Sequence, residues 1–182
     1  MRILKFLLQA LLLLVVVFFV VGYTISDVWT ISRSIKINAS AEKIYPYVSN
    51  FKEWEKWSPW NTSKDATLAY TYSGSEEGVG SKQAWTSSKM GTGSMQITAA
   101  EPQTGVTYDL SIDMGYIQST LQGTIAFAPA HGATNVTWTD KGQANGNYIK
   151  RWTNFLVKPM LGTDLDTALA GLKNIVEAPV QN

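Results

Sequence analysis

Between Ala66 and Thr139 apolar side chains recur at every second position, and beyond Trp152 they recur at every third or fourth. A period of two marks strands with one buried face, and a period near 3.6 marks a helix with one buried stripe. Six strands are predicted in the first stretch. They carry Leu68, Tyr70 and Tyr72; Gln83 and Trp85; Met95 and Ile97; Tyr108, Leu110 and Ile112; Leu121, Gly123, Ile125 and Phe127; Val136 and Trp138. The glycines from Gly74 to Gly80, Glu101-Pro102 with Thr104-Gly105, and the Pro129–Gly132 segment supply the turns between them. A further strand, Ser32–Ile37, comes earlier. Two short helices follow it, one entered at Ser40 and interrupted by Pro46, the other carrying Phe51, Trp54 and Trp57 on one face. The long final helix runs from Trp152 to Val176 with a kink expected at Pro159. A curved antiparallel sheet wrapped around that helix buries both apolar faces, so the fold class is α+β.

The N-terminus reads differently. Phe6 to Val21 is apolar except for Gln9, and from Ile3 to Tyr23 a helix would rise about 31 Å, close to the hydrocarbon thickness of a bilayer. The run exceeds the usual apolar core of a cleaved signal peptide. An uncleaved transmembrane signal-anchor over residues 1–23 is expected, then a linker over 24–30, the folded domain over 31–178 and a tail over 179–182. Arg2 and Lys5 precede the span and Asp27 follows it, which orients the N-terminus to the cytoplasm and the domain to the extracytoplasmic side, periplasmic in a Gram-negative cell.

Composition removes several function classes. The chain has no cysteine and one histidine, His131, so thiolate metal sites, cysteine nucleophiles and multi-histidine zinc sites are excluded. Of the 15 basic residues only Arg2 and Lys5 precede Thr24, and the remainder of the chain balances 13 basic against 14 acidic. That balance leaves no electrostatic footprint for nucleic acid and no polybasic signal for anionic lipid. The 7 Trp, 8 Tyr and 6 Phe suit either an apolar cavity or a well-filled core.

No catalytic constellation emerges. His131 lies in a predicted turn, Asp109 and Asp113 are out of phase with the buried positions of their strand, and Asp164 and Asp166 do not share a helix face. Gly91 to Gly93 precedes a strand rather than a helix, which argues for a hairpin rather than a phosphate loop.

The element order and several short motifs resemble the SRPBCC superfamily, and are most similar to its polyketide cyclase/dehydrase-like branch, related to START lipid-binding domains. The resemblance rests on Ala41-Glu42-Lys43-Ile44-Tyr45-Pro46-Tyr47-Val48, on Phe51 to Trp60 ending Trp57-Ser58-Pro59-Trp60, and on Gly78-Val79-Gly80. Gly91-Thr92-Gly93-Ser94-Met95, Val136-Thr137-Trp138, Gly162-Thr163-Asp164-Leu165 and Leu172-Lys173 complete it. It implies a helix-grip fold, with a cavity between sheet and long helix that often takes lipids or other hydrophobic molecules. It transfers no catalytic residue, metal or cofactor.

Candidate ligand-binding residues therefore come from phase. Tyr70, Tyr72, Trp85, Met95, Ile97, Tyr108, Leu110, Leu121, Ile125, Phe127 and Trp138 should point at the long helix, and Phe155, Leu156, Met160, Leu165 and Leu169 should point back. Gly123, in the same phase, would leave room in that face. The expected partners are a hydrophobic small molecule or lipid and, through the N-terminal helix, a membrane. An enzyme of cyclase or dehydratase type and a ligand-free accessory domain stay open as alternatives.

Overall fold

The computed structural model describes residues 2–115 and 118–179. Residues 180–182 of the expected tail lie outside them. A first helix, α1 (Arg2–Thr24), leads into strand β1 (Val28–Ile37), the short helices α2 (Ala41–Ser49) and α3 (Phe51–Trp54), and six more strands. These are β2 (Ala69–Gly74), β3 (Ser81–Ser87), β4 (Gly91–Glu101), β5 (Gly105–Asp113), β6 (Gln118–Pro129) and β7 (Thr134–Gln143). Helix α4 (Tyr148–Glu177) closes the chain. The sheet order is β1-β7-β6-β5-β4-β3-β2, antiparallel throughout. Six strands form a meander, and β1 returns to pair with β7.

Local chemistry explains the corners. Ala130 and Ala133 exchange both backbone hydrogen bonds around His131 and Gly132, whose φ values are 47° and 77°. Two left-handed residues make the tight hairpin that matches the twist of its flanking strands. His131 is thus an exposed turn residue, and His131→Ala is expected to leave thermal stability within about 0.5 kcal/mol. A bulge between Ile97 and Ala99 resets the phase of β4 so that Ala100 again faces inward. Asn50 caps α3 by accepting from the Lys52 amide at 2.9 Å.

Helix α4 runs alongside β1. Its second half buries Leu165, Ala168, Leu169, Leu172 and Val176. Two glycines permit the close approach. A Cβ at Gly162 would stand 2.4 Å from the Arg33 guanidinium, and one at Gly171 would stand 2.2 Å from the Trp57 carbonyl. Polar contacts fix the register: Arg33 to Asp166 at 3.0 Å, Lys64 to Asp164 at 2.7 Å, and the Asn38 amide to Glu177 at 2.6 Å. Asp164 and Asp166 serve different partners, as their spacing on the helix requires.

Candidate functional site in the helix grip

The interior between sheet and α4 divides into a closed part and an open end. In the closed part Met95, Ile97, Tyr108, Ile125, Phe127, Trp138, Leu165 and Leu169 are all buried. Trp54 packs edge-on against Tyr108 and Trp138 at 5.6 and 5.2 Å, and Trp57 and Trp60 lie 5.7 and 6.0 Å from Trp138. These rings come from the α3 region and fill the centre of the grip. Their edge-to-face geometry is the favoured one for aromatic quadrupoles.

The space expected at Gly123 is absent, because a Cβ there would stand 1.9 Å from Cζ of Tyr108. Tyr108 lies directly opposite Gly123 across the β5–β6 ladder, and its ring occupies the volume that the glycine leaves. The same pairing recurs at Trp85 over Gly93 and Trp29 over Gly142. Each ring covers the bare backbone of the neighbouring strand, a device that protects strand glycines.

A buried polar trio sits under these rings. The Tyr108 hydroxyl donates to Asp140 Oδ1 at 2.8 Å, while Trp138 Nε1 donates to the Tyr108 oxygen at 2.8 Å and to Asp140 Oδ1 at 3.2 Å. Asp140 is 4% exposed, and no cationic side chain bonds to it among the described residues. Burial pushes its carboxyl up to about 6, against the opposing pull of the Tyr108 and Trp138 donors. Burial, followed by the neighbouring carboxylate, raises the Tyr108 hydroxyl well above the ordinary tyrosine value, so it stays a donor. Sequence reasoning passed over Asp140, although it lies two residues beyond Trp138 and so shares its inward phase. The rule that placed Asp109 outside would have placed Asp140 inside.

The open end lies at the end of the sheet where β7 finishes beside the start of β1 and of α4. Tyr70, Tyr72, Trp85, Leu110 and Leu121 point inward there but are only half-buried. Met95, Leu110, Leu121, Gly142 and Trp29 stand opposite one another across four ladders. Trp29 Nε1 is buried at the end of this row with no partner among the described residues, a state that costs on the order of 1–3 kcal/mol.

Phe155, Leu156 and Met160 do not point at the sheet. They are 60%, 65% and 70% exposed. At about 100° per residue, Leu156 and Met160 lie roughly 180° and 140° around the helix from Leu165. The inward phase in this half of α4 belongs instead to Arg151, Asn154 and Lys158. Spacings of three and four continue along the whole helix, but the stripe they trace changes sides.

On the outer face, Lys82, Gln96, Asp109, Gln122 and Lys141 form one cross-strand row along a trough of about 750 Å³. Ser73, Ser94, Ser111 and Thr120 add to its polar lining, as suits a solvated sheet face. No group of three His, Asp or Glu side chains suited to a metal occurs among the described residues.

A family model described as polyketide cyclase / dehydrase and lipid transport matches residues 28–177. No curated protein matches the chain. Solved structures share the fold. Protein CV1439 from Chromobacterium violaceum is 15% identical, with a TM-score of 0.60, over 82% of this chain and 98% of that one. The Aha1 dimer from Colwellia psychrerythraea is 20% identical, with a TM-score of 0.56, over 84% and 99%. TTHA0849 from Thermus thermophilus is 14% identical, with a TM-score of 0.58, over 84% and 100%.

Proposed function

The chain belongs to the polyketide cyclase / dehydrase and lipid transport family, and from that footing we propose that it is a membrane-anchored module holding an apolar small molecule or lipid at the open end of its grip. The observation that carries this reading is the half-buried inward row through Leu110 and Leu121, with Tyr72 and Trp85 beside it, left uncovered where the centre of the grip is packed shut. The unpartnered Trp29 indole at the end of that row offers one hydrogen bond to a ligand oxygen. Apart from the Glu55 carboxylate, which accepts from the Tyr72 hydroxyl at its edge, the row carries no charge, so it favours uncharged moieties.

Anchoring rests on α1, which is long and apolar enough to cross a membrane. Its Leu and Val side chains are exposed on every face, as a lipid-facing helix requires. Gly22 is buried against Tyr148 and Trp152 of α4. That contact supports an uncleaved segment, since removing α1 would strip it away. The basic flank at Arg2 and Lys5 supports a cytoplasmic N-terminus.

Native mass spectrometry of gently extracted protein, together with titration of a fluorescent fatty acid read by energy transfer from tryptophan, tests the binding. Saturable binding is expected. Leu110→Arg should weaken it on the order of tenfold, the equivalent of losing one apolar contact, whereas the outward Asp109→Arg should not. No saturable binding by the parent, and no co-purifying molecule, would refute the reading.

One observation favours a second reading, an enzyme acting on the same ligand. Asp140 holds a carboxyl poised near neutrality beside the Tyr108 hydroxyl, as a general acid or base requires. Turnover abolished by Asp140→Asn, with ligand affinity retained, would identify it.

A further inference from the structure

We infer that the first half of α4, from Tyr148 to Met160, lies in the membrane interface beside α1, so that the domain is seated on the bilayer instead of swinging from a tether. The inference rests on reading α1 as a membrane span.

Four observations converge on a lipid surface as the occupant of this helix face. Ile149, Phe155, Leu156 and Met160 are all at least 60% exposed. Ile149, Leu156 and Met160 lie on the side of the helix turned away from Leu165 and the core. A helix that packs its second half into the domain and leaves the apolar side chains of its first half uncovered has a second apolar partner to meet.

That face is also continuous with the span. Trp152 stacks on Phe18 at 5.5 Å with an interplanar angle of 16°, and its Nε1 donates to the Phe18 carbonyl at 3.3 Å. Tyr148 meets Phe19 edge-on at 5.8 Å. Phe18 and Phe19 lie in the last two turns of α1, about 6–8 Å from its Tyr23 end and within the roughly 5–10 Å to which an interfacial helix buries its apolar face. Trp152 and Tyr148 are the residue types that settle at that level.

The junction, moreover, is rigid. Only Ile25, Ser26 and Asp27 separate α1 from β1. Asp27 accepts from the Gly146 amide at 2.7 Å and from Arg151 Nε at 3.2 Å, and Arg151 reaches the carbonyls of Gly22 and Tyr23. The start of α4 is therefore held to the end of the span.

Charge points the same way. No acidic residue occurs between Asp140 and Asp164, whereas Lys141, Lys150, Arg151 and Lys158 all fall there. On α4 itself Lys150, Arg151 and Lys158 lie on the side opposite the uncovered apolar stripe, the division of polar and apolar faces that an interfacial helix shows.

The absence of cysteine allows a clean test on the full chain in vesicles of phosphatidylcholine with a minor fraction of phosphatidylglycerol. Single nitroxide labels are placed through Phe155→Cys, Leu156→Cys and Met160→Cys, with Leu12→Cys in the span and Asn174→Cys on the exposed far half of α4 as references. All three α4 labels are expected to collide more with dissolved oxygen than with an aqueous nickel chelate, as Leu12→Cys should, and Asn174→Cys should show the reverse. Aqueous behaviour at the three positions with Leu12→Cys in the bilayer overturns the seated domain and leaves the anchor standing. Aqueous behaviour at Leu12→Cys as well removes the anchor itself. Labels shielded from both reagents mean that protein covers the face, which also overturns the inference; dipolar broadening would then identify a second copy.

Discussion

Gly123→Ala is expected to destabilise the domain by about 3 kcal/mol. The new Cβ would stand 1.9 Å from Cζ of Tyr108 and 2.2 Å from its hydroxyl oxygen. A flexible side chain could retreat, but this ring cannot do so cheaply. Its hydroxyl is held by Asp140 and Trp138, and its face by Trp54. Overpacking a well-filled core costs about 1–3 kcal/mol, and expelling the ring altogether would approach the roughly 3–5 kcal/mol of deleting a buried aromatic. The cost should therefore fall near the upper end of the first range or beyond it. Urea unfolding in mild detergent, followed by tryptophan fluorescence, measures it. Thr124→Ala, the next residue on the opposite face, serves as the comparison and should change little. The pair Tyr108→Ala and Gly123→Ala should be strongly non-additive, since removing the ring removes the clash. A Gly123→Ala chain within about 0.5 kcal/mol of the parent would mean that the glycine does leave usable room.

The same residue shows where sequence reasoning stops. Phase placed Gly123 on the inner face correctly, because the side-chain period of a strand is fixed by its pleat. What fills the gap depends on the residue directly across the ladder, and that partner is set by hairpin geometry several residues away. Phase turns both Tyr108 and Gly123 inward; that they oppose each other is not legible in it. Strand number, meander order and the terminal helix were legible for the complementary reason, that each follows from local periodicity and turn residues. Helix α4 failed in its first half. Matching spacings of three and four without following the angle from Leu165 backwards hides a change of side, and Arg151, Asn154 and Lys158 in the inward phase were the available signal. Asp140, two residues beyond Trp138, is legible by the same phase rule that turns Asp109 outward.

The second large effect concerns Asp140 and pH. Its carboxyl titrates near 3.8 when unfolded and is pushed up to about 6 in the fold, chiefly by burial. The folded state therefore binds the proton more tightly than the unfolded state, and between these values stability must fall as pH rises. The two values differ by about 2, which corresponds to on the order of 3 kcal/mol. The penalty is absent below about pH 4, grows through the window and is complete above about pH 6. Asp65, Glu42 and Glu177 act in the opposite sense, because hydrogen bonds, first among them those from the Ser87 hydroxyl, the Glu42 amide and the Asn38 amide, hold them below the ordinary carboxylate range. Their contribution is lost at more acidic pH, as each protonates, so the window from 4 to 6 is best isolated by difference. Asp140→Asn keeps the Oδ1 acceptor that Tyr108 and Trp138 use and removes the ionisation. The parent should lose stability relative to this variant across that window, and the difference should level off above it. Asp140→Ala, which leaves the Tyr108 hydroxyl without its acceptor in the core, should instead cost roughly 1–3 kcal/mol below the window as well. Parallel pH profiles for the parent and Asp140→Asn would show that water or a neighbouring cation reaches the carboxyl in the folded protein, and that the grip is wetter at its centre than the packing of Trp54, Tyr108 and Trp138 requires.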